Sequence, residues 1–376
     1  MKVLFVATVT EHIKAFHIPY LKWFKEQGWE VHVATYGDDE ISYCDKKHNI
    51  SVARSPFRFS NIKAYFELKT IIKKEKYDII HGHTPMGGVL TRLCGKSQRR
   101  KNTHIMYTAH GFHFCKGAPL LNWGLYYPME KWLSRYTDAL ITINKEDYAL
   151  ASQNMKAKKT YYIHGIGVDT TRFINLETPE KTDIEKAARR EEKRNELGIP
   201  IGATVLISVG ELSKRKNHQA AIKALGKVKK DDMYYVICGR GELDEFLRNL
   251  CNEAGVDKKV IFLGHRTDIP DLLNMSDIFV FPSLWEGLGL AAIEAMACGL
   301  PIVTSNIHGI NDYSENGITG YSCTPTDVDG FAKAIKNLAK DAKLRKKMGE
   351  HNIEAAKKFD LSGSLKEMEK IYKETM

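Results

Sequence analysis

The chain has 376 residues, of which 43% are hydrophobic and 27% charged, which is typical of a soluble globular protein with two or three domains. No stretch of eighteen uncharged apolar residues occurs, and residues 1–7 enter a first strand without a cleavage site, so we expect a cytoplasmic protein. The net charge of +10 favours an anionic partner, but no RNA-binding octamer or zinc finger is present, which argues against nucleic acid. Seven scattered cysteines without C-x-x-C spacing predict reduced thiols and no structural zinc.

Strands and helices alternate through the first half of the chain, which predicts a parallel sheet wrapped by helices. The apolar periodicity predicts strand 2–7, helix 13–27, strand 30–35, helix 62–75, strand 78–80, helix 86–95, strand 103–108, an aromatic helix to 136, strand 139–143 and helix 146–154.

Basic residues are concentrated between residues 54 and 101, where lysine and arginine far outnumber acids. The cluster includes Arg54, Arg58, Lys63, Lys69, Lys73, Lys74, Lys76, Arg92, Arg99, Arg100 and Lys101. Such charges suit a solvated helix face or an anionic lipid surface. Residues 119–136 mix Trp, Tyr and bases, as interfacial helices do, although packing on the sheet is the alternative. An anionic membrane surface is therefore one expected partner.

A second alternating series follows a stretch, residues 171–200, that is rich in Glu, Lys and Arg and predicts a solvated helix or an ordered excursion. The series predicts strand 203–209, helix 218–228, strand 234–238, helix 243–254, strand 260–263 and a strand–loop–helix–strand unit at 277–303. Helices are predicted from residue 326 to the end. The chain therefore contains two Rossmann-like halves, with a boundary near Asp169.

The unit at 277–303 contains the motif Pro-Ser-Leu-Trp-Glu-Gly-Leu-Gly. Its helix is apolar nearly all round and should be buried, yet it carries Glu294, which therefore needs hydroxyl or cationic partners such as a ribose diol. Glu286 lies in the preceding loop beside Gly287 and Gly289, where backbone N–H groups at a helix start favour an anion. An ordinary buried turn with a surface glutamate and a structural ion pair is the alternative.

The pattern Glu286-x7-Glu294 in this motif resembles the signature of the family-4 retaining glycosyltransferases with the GT-B fold. In that family the first glutamate lies by the donor sugar and the second holds the nucleotide ribose. The N–H groups between them, here those of Gly287, Leu288 and Gly289, hold the diphosphate. The resemblance covers nearly the whole chain.

The resemblance implies an α/β protein whose two Rossmann-like domains face each other across a cleft. Residues 1–168 would form the acceptor-binding domain and residues 169–361 the nucleotide-sugar-binding domain. Residues 362–376 would form a helix that crosses back to the first domain.

A Gly210 turn followed by the basic loop Ser-Lys-Arg-Lys-Asn-His enters a helix, an arrangement that favours a diphosphate. Family members read Gly-Arg-Leu-x-x-x-Lys-Gly here, so the resemblance implies that Lys216 binds phosphate. This chain departs from the pattern by placing Glu211 where the arginine is usual and Asn217 where the glycine is usual. Arg215 is the candidate substitute for the missing arginine.

Three further candidates lie at strand ends. Gly239, in Cys-Gly-Arg-Gly-Glu, makes a turn that a nucleotide can approach, and Arg266 lies in a segment resembling the family's base-facing loop, although a structural arginine is the alternative. His110, in Tyr-Thr-Ala-His-Gly-Phe-His-Phe, matches the family histidine that contacts the donor sugar, unless it is a structural histidine. The D-x-D pair Asp327 and Asp329 precedes a helix and is better explained by N-capping than by a metal.

The closest likeness is to bacterial transferases of exopolysaccharide or capsule synthesis. It implies retaining, metal-independent transfer of a hexosyl or N-acetylhexosaminyl group from a nucleotide sugar, expected to be UDP-linked, to a polyprenyl-diphosphate-linked saccharide at the cytoplasmic membrane face. His110 and Glu286 would be catalytic, with or without a covalent carboxylate intermediate, and the nucleotide sugar would be a co-substrate with no further cofactor. A UDP-sugar epimerase and a nonenzymatic nucleotide-sugar-binding module are the rival interpretations.

Overall fold

A computed structural model describes residues 1–99, 102–174, 183–228 and 232–376. The chain divides into two units, Met1–Ile166 with Ser362–Met376, and Gly167–Leu361. Each unit is an α/β structure with one parallel sheet, which confirms the two Rossmann-like halves predicted from the alternation. Two members of the basic cluster, Arg100 and Lys101, and part of the charged stretch 171–200 lie outside the described residues.

The sheet of the first unit has seven strands in the order β3-β2-β1-β4-β5-β6-β7. In chain order these are β1 (Lys2–Val9), β2 (Glu30–Tyr36), β3 (Lys46–Asn49), β4 (Ile79–Gly82), β5 (His104–Ala109), β6 (Ala139–Thr142) and β7 (Lys159–Tyr162). The central strand β1 is buried along most of its length, because helices cover both faces of a parallel sheet. Its helices are α1 (Thr10–Phe16), α2 (Ile18–Glu26), α3 (Ser60–Glu75), α4 (Pro85–Gly95), α5 (Leu120–Leu133) and α6 (Lys145–Asn154).

The sheet of the second unit has six strands in the order β10-β9-β8-β11-β12-β13. They are β8 (Thr204–Val209), β9 (Met233–Cys238), β10 (Val260–Gly264), β11 (Ile278–Phe281), β12 (Ile302–Ser305) and β13 (Gly320–Cys323). Its helices are α7 (Thr170–Ile174), α8 (Asp183–Glu196), α9 (His218–Val228), α10 (Asp244–Glu253), α11 (Ile269–Asn274), α12 (Leu290–Ala297), α13 (Val328–Lys340) and α14 (Ala342–Ala356). The main core of this unit lies between the sheet and α9, α10 and α13.

The last helix, α15 (Leu361–Thr375), belongs to the first unit. The Tyr372 hydroxyl lies 2.8 Å from His81 Nδ1 at the end of β4. The Tyr372 ring also stacks on Trp23 and meets Phe24 edge-on, with centroids 5.7 and 4.7 Å apart. This helix therefore completes the apolar cover over α2.

The predicted helix 13–27 is two helices, because the chain breaks at His17 before Pro19, which lacks an N–H and starts a new helix. The prediction missed the edge strands β3 and β7. Two members of the basic cluster, Arg92 and the partly exposed Arg99, are paired with acids. They form ion pairs of 2.6 Å with Glu130 and 2.7 Å with Asp138, and Arg92 is fully buried.

The side chain of Asp327 caps α13 by accepting a hydrogen bond of 2.8 Å from the Gly330 amide, as the N-cap interpretation predicts. All seven cysteines lie in the described ranges, and none of them forms a disulfide there. Within the described ranges, no helix combines the length and the hydropathy that a transmembrane span needs.

Candidate active site

Glycine is required where the loop after β11 turns into α12. Gly289 precedes the helix with φ +84°, a backbone region that other residues rarely adopt. A Cβ at this position would lie 2.6 Å from the Phe281 ring and 3.0 Å from the Tyr313 hydroxyl. The backbone of Gly287 and Leu288 leads directly into the first turn of α12, where the helix dipole favours negative charge.

Glu286 is buried in this loop, and three side chains converge on its Oε1 atom. Arg215 Nη1 and Lys216 Nζ each lie 2.7 Å from it, and Ser283 Oγ donates a hydrogen bond of 3.1 Å. Within the described ranges, the side-chain hydrogen bonds of Glu286 all use Oε1. The group pairs two cations with one carboxylate, which leaves one net positive charge beside the loop.

The two cations lie in a single 3-10 turn, Lys214–Lys216, between β8 and α9. Burial lowers the pKa of Lys216, and Glu286 opposes that effect by favouring the charged form. The Lys216 ammonium also lies 4.6 Å from the centre of the Phe281 ring. Arg215, 38% exposed, is more open to water than Lys216, 12% exposed. Arg215 therefore stays the candidate substitute for the family arginine, while Glu211, which stands at the family arginine's position in the sequence, is exposed.

Asn217 ends the turn in the left-handed conformation, with φ 53° and ψ 34°. The family pattern has glycine here, and asparagine is one of the few other residues that tolerate this backbone. Its buried Nδ2 donates hydrogen bonds to the carbonyls of Pro282 and Pro325 at 2.9 and 3.0 Å. The departure from the family pattern thus keeps the turn and ties it to the loop after β11.

Glu294 lies on α12, about one turn beyond the loop, and is partly buried. Burial raises the pKa of its carboxyl group, and the positive charge of Arg172 on α7 partly offsets the effect. Within the described part of the chain, the carboxylate has no hydrogen-bond partner. A half-buried acid without a donor is costly in the unliganded protein and suits a ligand that brings hydroxyl groups.

Two predicted binding residues have structural contacts instead. A Cβ on Gly239 would lie 1.8 Å from the Gly210 carbonyl oxygen, so these two turns pack backbone against backbone. Arg266 donates to Asp268 at 2.6 and 2.8 Å and reaches Glu196 at 3.3 Å. The acids raise the pKa of this arginine, Asp268 first, and their contacts favour the structural interpretation of Arg266.

In the first unit, His110 follows β5 at the carboxyl edge of the sheet, and other imidazoles surround it. Its Nε2 lies 3.4 Å from His83 Nδ1, and its ring centroid lies 4.9 Å from that of His12. His12 Nε2 in turn lies 3.2 Å from His17 Nε2. Burial, with neighbouring imidazoles, holds the pKa values of His17, His83 and His110 well below the usual range. These rings are therefore neutral at pH 7.

Sequence reasoning missed His12, His17 and His83. Their positions after β1, before α2 and after β4 are separated along the chain, and only the rule that strand ends meet at one edge points to them. Nitrogen atoms of His12, His17 and His110 all lie within 4.8 Å of one another. Neutral imidazoles bind transition-metal ions. Among the described residues, this cluster is therefore one group that could hold such an ion. It belongs to the first unit, whereas the D-x-D pair belongs to the second.

Two family profiles match the chain: "Glycosyl transferase 4-like" over residues 2–144 and "Glycosyl transferases group 1" over residues 189–355. A similar protein is "Putative glycosyltransferase EpsD" of Bacillus subtilis (strain 168), 41% identical over 374 residues, which cover 99% of this chain and 96% of that protein.

A second relative is the UDP-Gal:alpha-D-GlcNAc-diphosphoundecaprenol alpha-1,3-galactosyltransferase of Escherichia coli. It is 31% identical over 303 residues, which cover 78% of this chain and 74% of the relative. Among solved structures, Anabaena Alr3699/HepE in complex with UDP and glucose superimposes with a TM-score of 0.80 over 100% of both chains at 20% identity. That identity supports the fold alone.

Proposed function

This chain belongs to the family-4 glycosyltransferases with the GT-B fold, and from that premise we propose that it glycosylates a lipid-linked saccharide. The donor is a UDP-linked hexose or N-acetylhexosamine, and the acceptor is a polyprenyl-diphosphate-linked saccharide in exopolysaccharide or capsule synthesis. The name of the E. coli relative includes both a UDP-sugar donor and a diphosphoundecaprenol-linked acceptor, which supports this choice of substrates. The similarity to EpsD over nearly the whole chain also supports the proposal.

The observation that carries the donor assignment is Glu294. Its carboxylate is partly buried, lacks a hydrogen-bond donor within the described residues, and follows the glycine loop by about one turn of helix. A ribose offers two neighbouring hydroxyl donors, which match the two oxygens of one carboxylate. The nucleotide ribose is therefore the partner that this residue lacks.

Arg215 and Lys216 supply the positive charge for the diphosphate, together with the N-terminus of α12. Both cations are already held beside the loop by Glu286, so little reorganisation accompanies donor binding. With this charge in place, we propose that transfer needs no metal ion and no cofactor besides the nucleotide sugar.

The proposed reaction retains the anomeric configuration. The bond between the anomeric carbon and the diphosphate oxygen breaks, and its electron pair leaves with UDP while the sugar gains oxocarbenium character. The acceptor hydroxyl attacks from the face that UDP leaves, and its proton passes to the departing phosphate. Glu286 Oε2 and His110 are assigned to the sugar hydroxyls, which fix the ring for attack.

An exposed apolar face on the first unit suggests where a membrane binds. Phe59, Ile62 and Phe66 at α3 and Leu120 and Leu121 at α5 are all exposed, from 59% for Ile62 to 88% for Phe59 and Leu120. We name these five residues the apolar face. By contrast, Trp123 and Tyr127 of α5 pack inward against the Phe114 ring.

Cations flank this apolar face. Arg58, Lys63 and Lys69 are exposed beside it. Exposed apolar side chains flanked by cations bind anionic lipid surfaces. We therefore propose peripheral attachment to the cytoplasmic face of the membrane, and sedimentation with vesicles that contain or lack phosphatidylglycerol tests it. Equal binding to both vesicle types would contradict the electrostatic part.

The function is tested by incubating the purified protein with UDP-sugars and a GlcNAc-diphosphate-prenyl acceptor. We expect UDP release and a one-sugar mass increase of the lipid, unchanged by EDTA, with the donor's anomeric configuration retained in the product by NMR. Epimerised UDP-sugar without any acceptor would support the epimerase instead. UDP binding without turnover for every donor and acceptor would support a binding module.

A further inference from the structure

Two cavities in the first unit meet at the same three residues. One has a volume of about 510 Å³ and the other about 390 Å³, and Arg54, Pro85 and His113 line both. Volumes of about 300–1,000 Å³ are typical of small-molecule sites. The two cavities therefore form a continuous path with Arg54 at the junction.

The larger cavity combines an apolar lining, from residues such as Val9, Ala15 and Phe16, with polar side chains at the carboxyl edge of the sheet. Thr8 and Glu11 contribute to it from the end of β1 and from α1, and His12 from the imidazole cluster. Thr84 also lines it, and its hydroxyl lies 2.7 Å from that of Thr8. Hydroxyl, carboxylate and neutral imidazole groups suit the hydroxyl groups of a saccharide.

The smaller cavity is an apolar groove between α4, α5 and the loop before α3. Its floor contains the buried side chains of Met86 and Phe112, and its rim contains Phe57, Leu125 and Met129, which are exposed. We call the last three residues the groove rim. A groove with an apolar floor and an exposed apolar rim suits a hydrocarbon chain.

The one acid of the groove, Glu130, is neutralised. Both of its oxygens accept hydrogen bonds from Arg92, at 2.6 and 3.0 Å, and the buried Arg92 guanidinium lies 4.0 Å from the centre of the Tyr107 ring. This ion pair also fixes α5 against α4. Among its described lining residues, the groove therefore carries no unpaired negative charge away from Arg54.

Arg54, at the junction, is exposed. Burial lowers the pKa of the nearby His12 imidazole, and the positive charge of Arg54 lowers it further. Among the described residues, none of the ion pairs engages Arg54. A guanidinium between a cavity that contains hydroxyl, carboxylate and imidazole groups and an apolar groove is complementary to an anionic group that joins a sugar to a lipid.

We propose that the path binds the acceptor in one orientation, an inference that rests on the proposed function. The saccharide lies in the larger cavity by His12, the diphosphate pairs with Arg54, and the first isoprene units of the polyprenyl chain lie in the groove across the groove rim. The rest of the chain continues into the lipid.

The test compares acceptors in detergent micelles, which removes the effect of bilayer binding. GlcNAc-diphosphate esters of methanol, farnesol and undecaprenol are titrated with a fixed UDP-sugar, alongside octyl GlcNAc, which has no diphosphate. We expect KM to fall from the methyl to the farnesyl ester. Phe57→Ser with Leu125→Ser should raise the farnesyl KM at least about tenfold, the factor that about 1.4 kcal/mol of lost contact produces, without raising the methyl-ester KM.

Arg54→Met should raise KM for all three diphosphate esters and not for octyl GlcNAc. The matched control is Phe246→Ser with Ile201→Ser, which alters exposed apolar residues of the second unit, 48% and 57% exposed, and should change no KM. A wild-type KM independent of chain length, or equal effects of the rim and control variants, would overturn the groove assignment.

A benzophenone-tagged farnesyl diphosphate gives a readout independent of turnover. Photolysis should label peptides that carry Phe57, Leu125 or Met129, and labelling elsewhere would overturn the proposal. If the wild type transfers sugar to no acceptor, the proposed function fails, while this labelling still decides whether the groove binds prenyl chains.

Discussion

Replacing Glu294 by glutamine should weaken UDP binding without destabilising the unliganded protein. The carboxylate is partly buried and has no hydrogen-bond donor within the described residues. Its charge is therefore unfavourable until a ligand provides donors. Glutamine keeps the shape of the side chain and removes its charge. One variant therefore separates the effect of Glu294 on UDP binding from its effect on the stability of the unliganded protein.

The expected change in affinity follows from the hydrogen bonds that are lost. A hydrogen bond to a charged group contributes about 1.5–3 kcal/mol, and the substituted glutamine would keep one neutral acceptor for the ribose. A net loss of about 2 kcal/mol corresponds to a roughly 30-fold higher Kd for UDP. At a UDP concentration of about 100 times the wild-type Kd, UDP should stabilise the wild type by about 2.7 kcal/mol and the variant by only about 0.9 kcal/mol.

The effect on unliganded stability depends on pH. Burial raises the folded-state pKa of Glu294 above its unfolded value, so the folded state binds more protons and stability falls as pH rises between the two values. Below the unfolded pKa, about 4.3, Glu294→Gln should change nothing. Above the raised folded pKa, the variant should be the more stable protein.

Isothermal titration calorimetry with UDP and thermal unfolding at pH 4 and pH 7 measure both effects. Glu253→Gln, at an exposed position of α10, is the matched control and should change neither. Unaltered UDP affinity in Glu294→Gln would refute the assignment of the ribose to this residue. A large loss of stability at pH 7 would show that the carboxylate has a structural partner.

Four other substitutions test individual contacts in the two units. Lys216→Met should lower kcat about 100-fold or more, as loss of one stabilising group commonly does, and the more exposed Arg215→Met should have a smaller effect in the same initial-rate assay. Asn217→Ala should cost about 1–2 kcal/mol more than Asn217→Gly in urea unfolding, because alanine strains the left-handed turn. Arg92→Met should lower the free energy of unfolding by about 3–5 kcal/mol, because it leaves Glu130 buried and unpaired. Adding Glu130→Gln should restore part of that stability. If no stability is recovered, the unpaired Glu130 is not the cause of the loss.

The long, apolar elements were predictable because their periodicity is local. Helix α9 begins and ends where predicted, and the strands at the centre of each sheet are continuous apolar runs. The edge strand β3 was not predictable from the sequence, because its residues Lys-Lys-His-Asn are polar and largely open to water. Its pairing with β2 arises from tertiary contact, which propensity does not encode.

Contacts within the site were less accessible from the sequence. The motif locates Glu286 and Glu294 on one loop and helix, but it does not reveal that Arg215 and Lys216 converge on one oxygen of Glu286. Nor does it distinguish a ligand-binding arginine from Arg266, whose partner Asp268 is only two residues away. The glycine turns of the chain serve two different needs, since Gly289 is needed for its positive φ and Gly239 for close backbone packing.

The position of α15 has a consequence for how the chain folds during synthesis. About 200 residues separate Ile166 from Ser362, the two ends of the segment that interrupts the first unit. At ribosomal speeds of about 5–20 residues per second, the nascent first unit waits roughly 10–40 s for its final helix. During that interval Trp23 and Phe24 lack the Tyr372 ring that covers them, so this surface is where a chaperone would bind the unfinished protein.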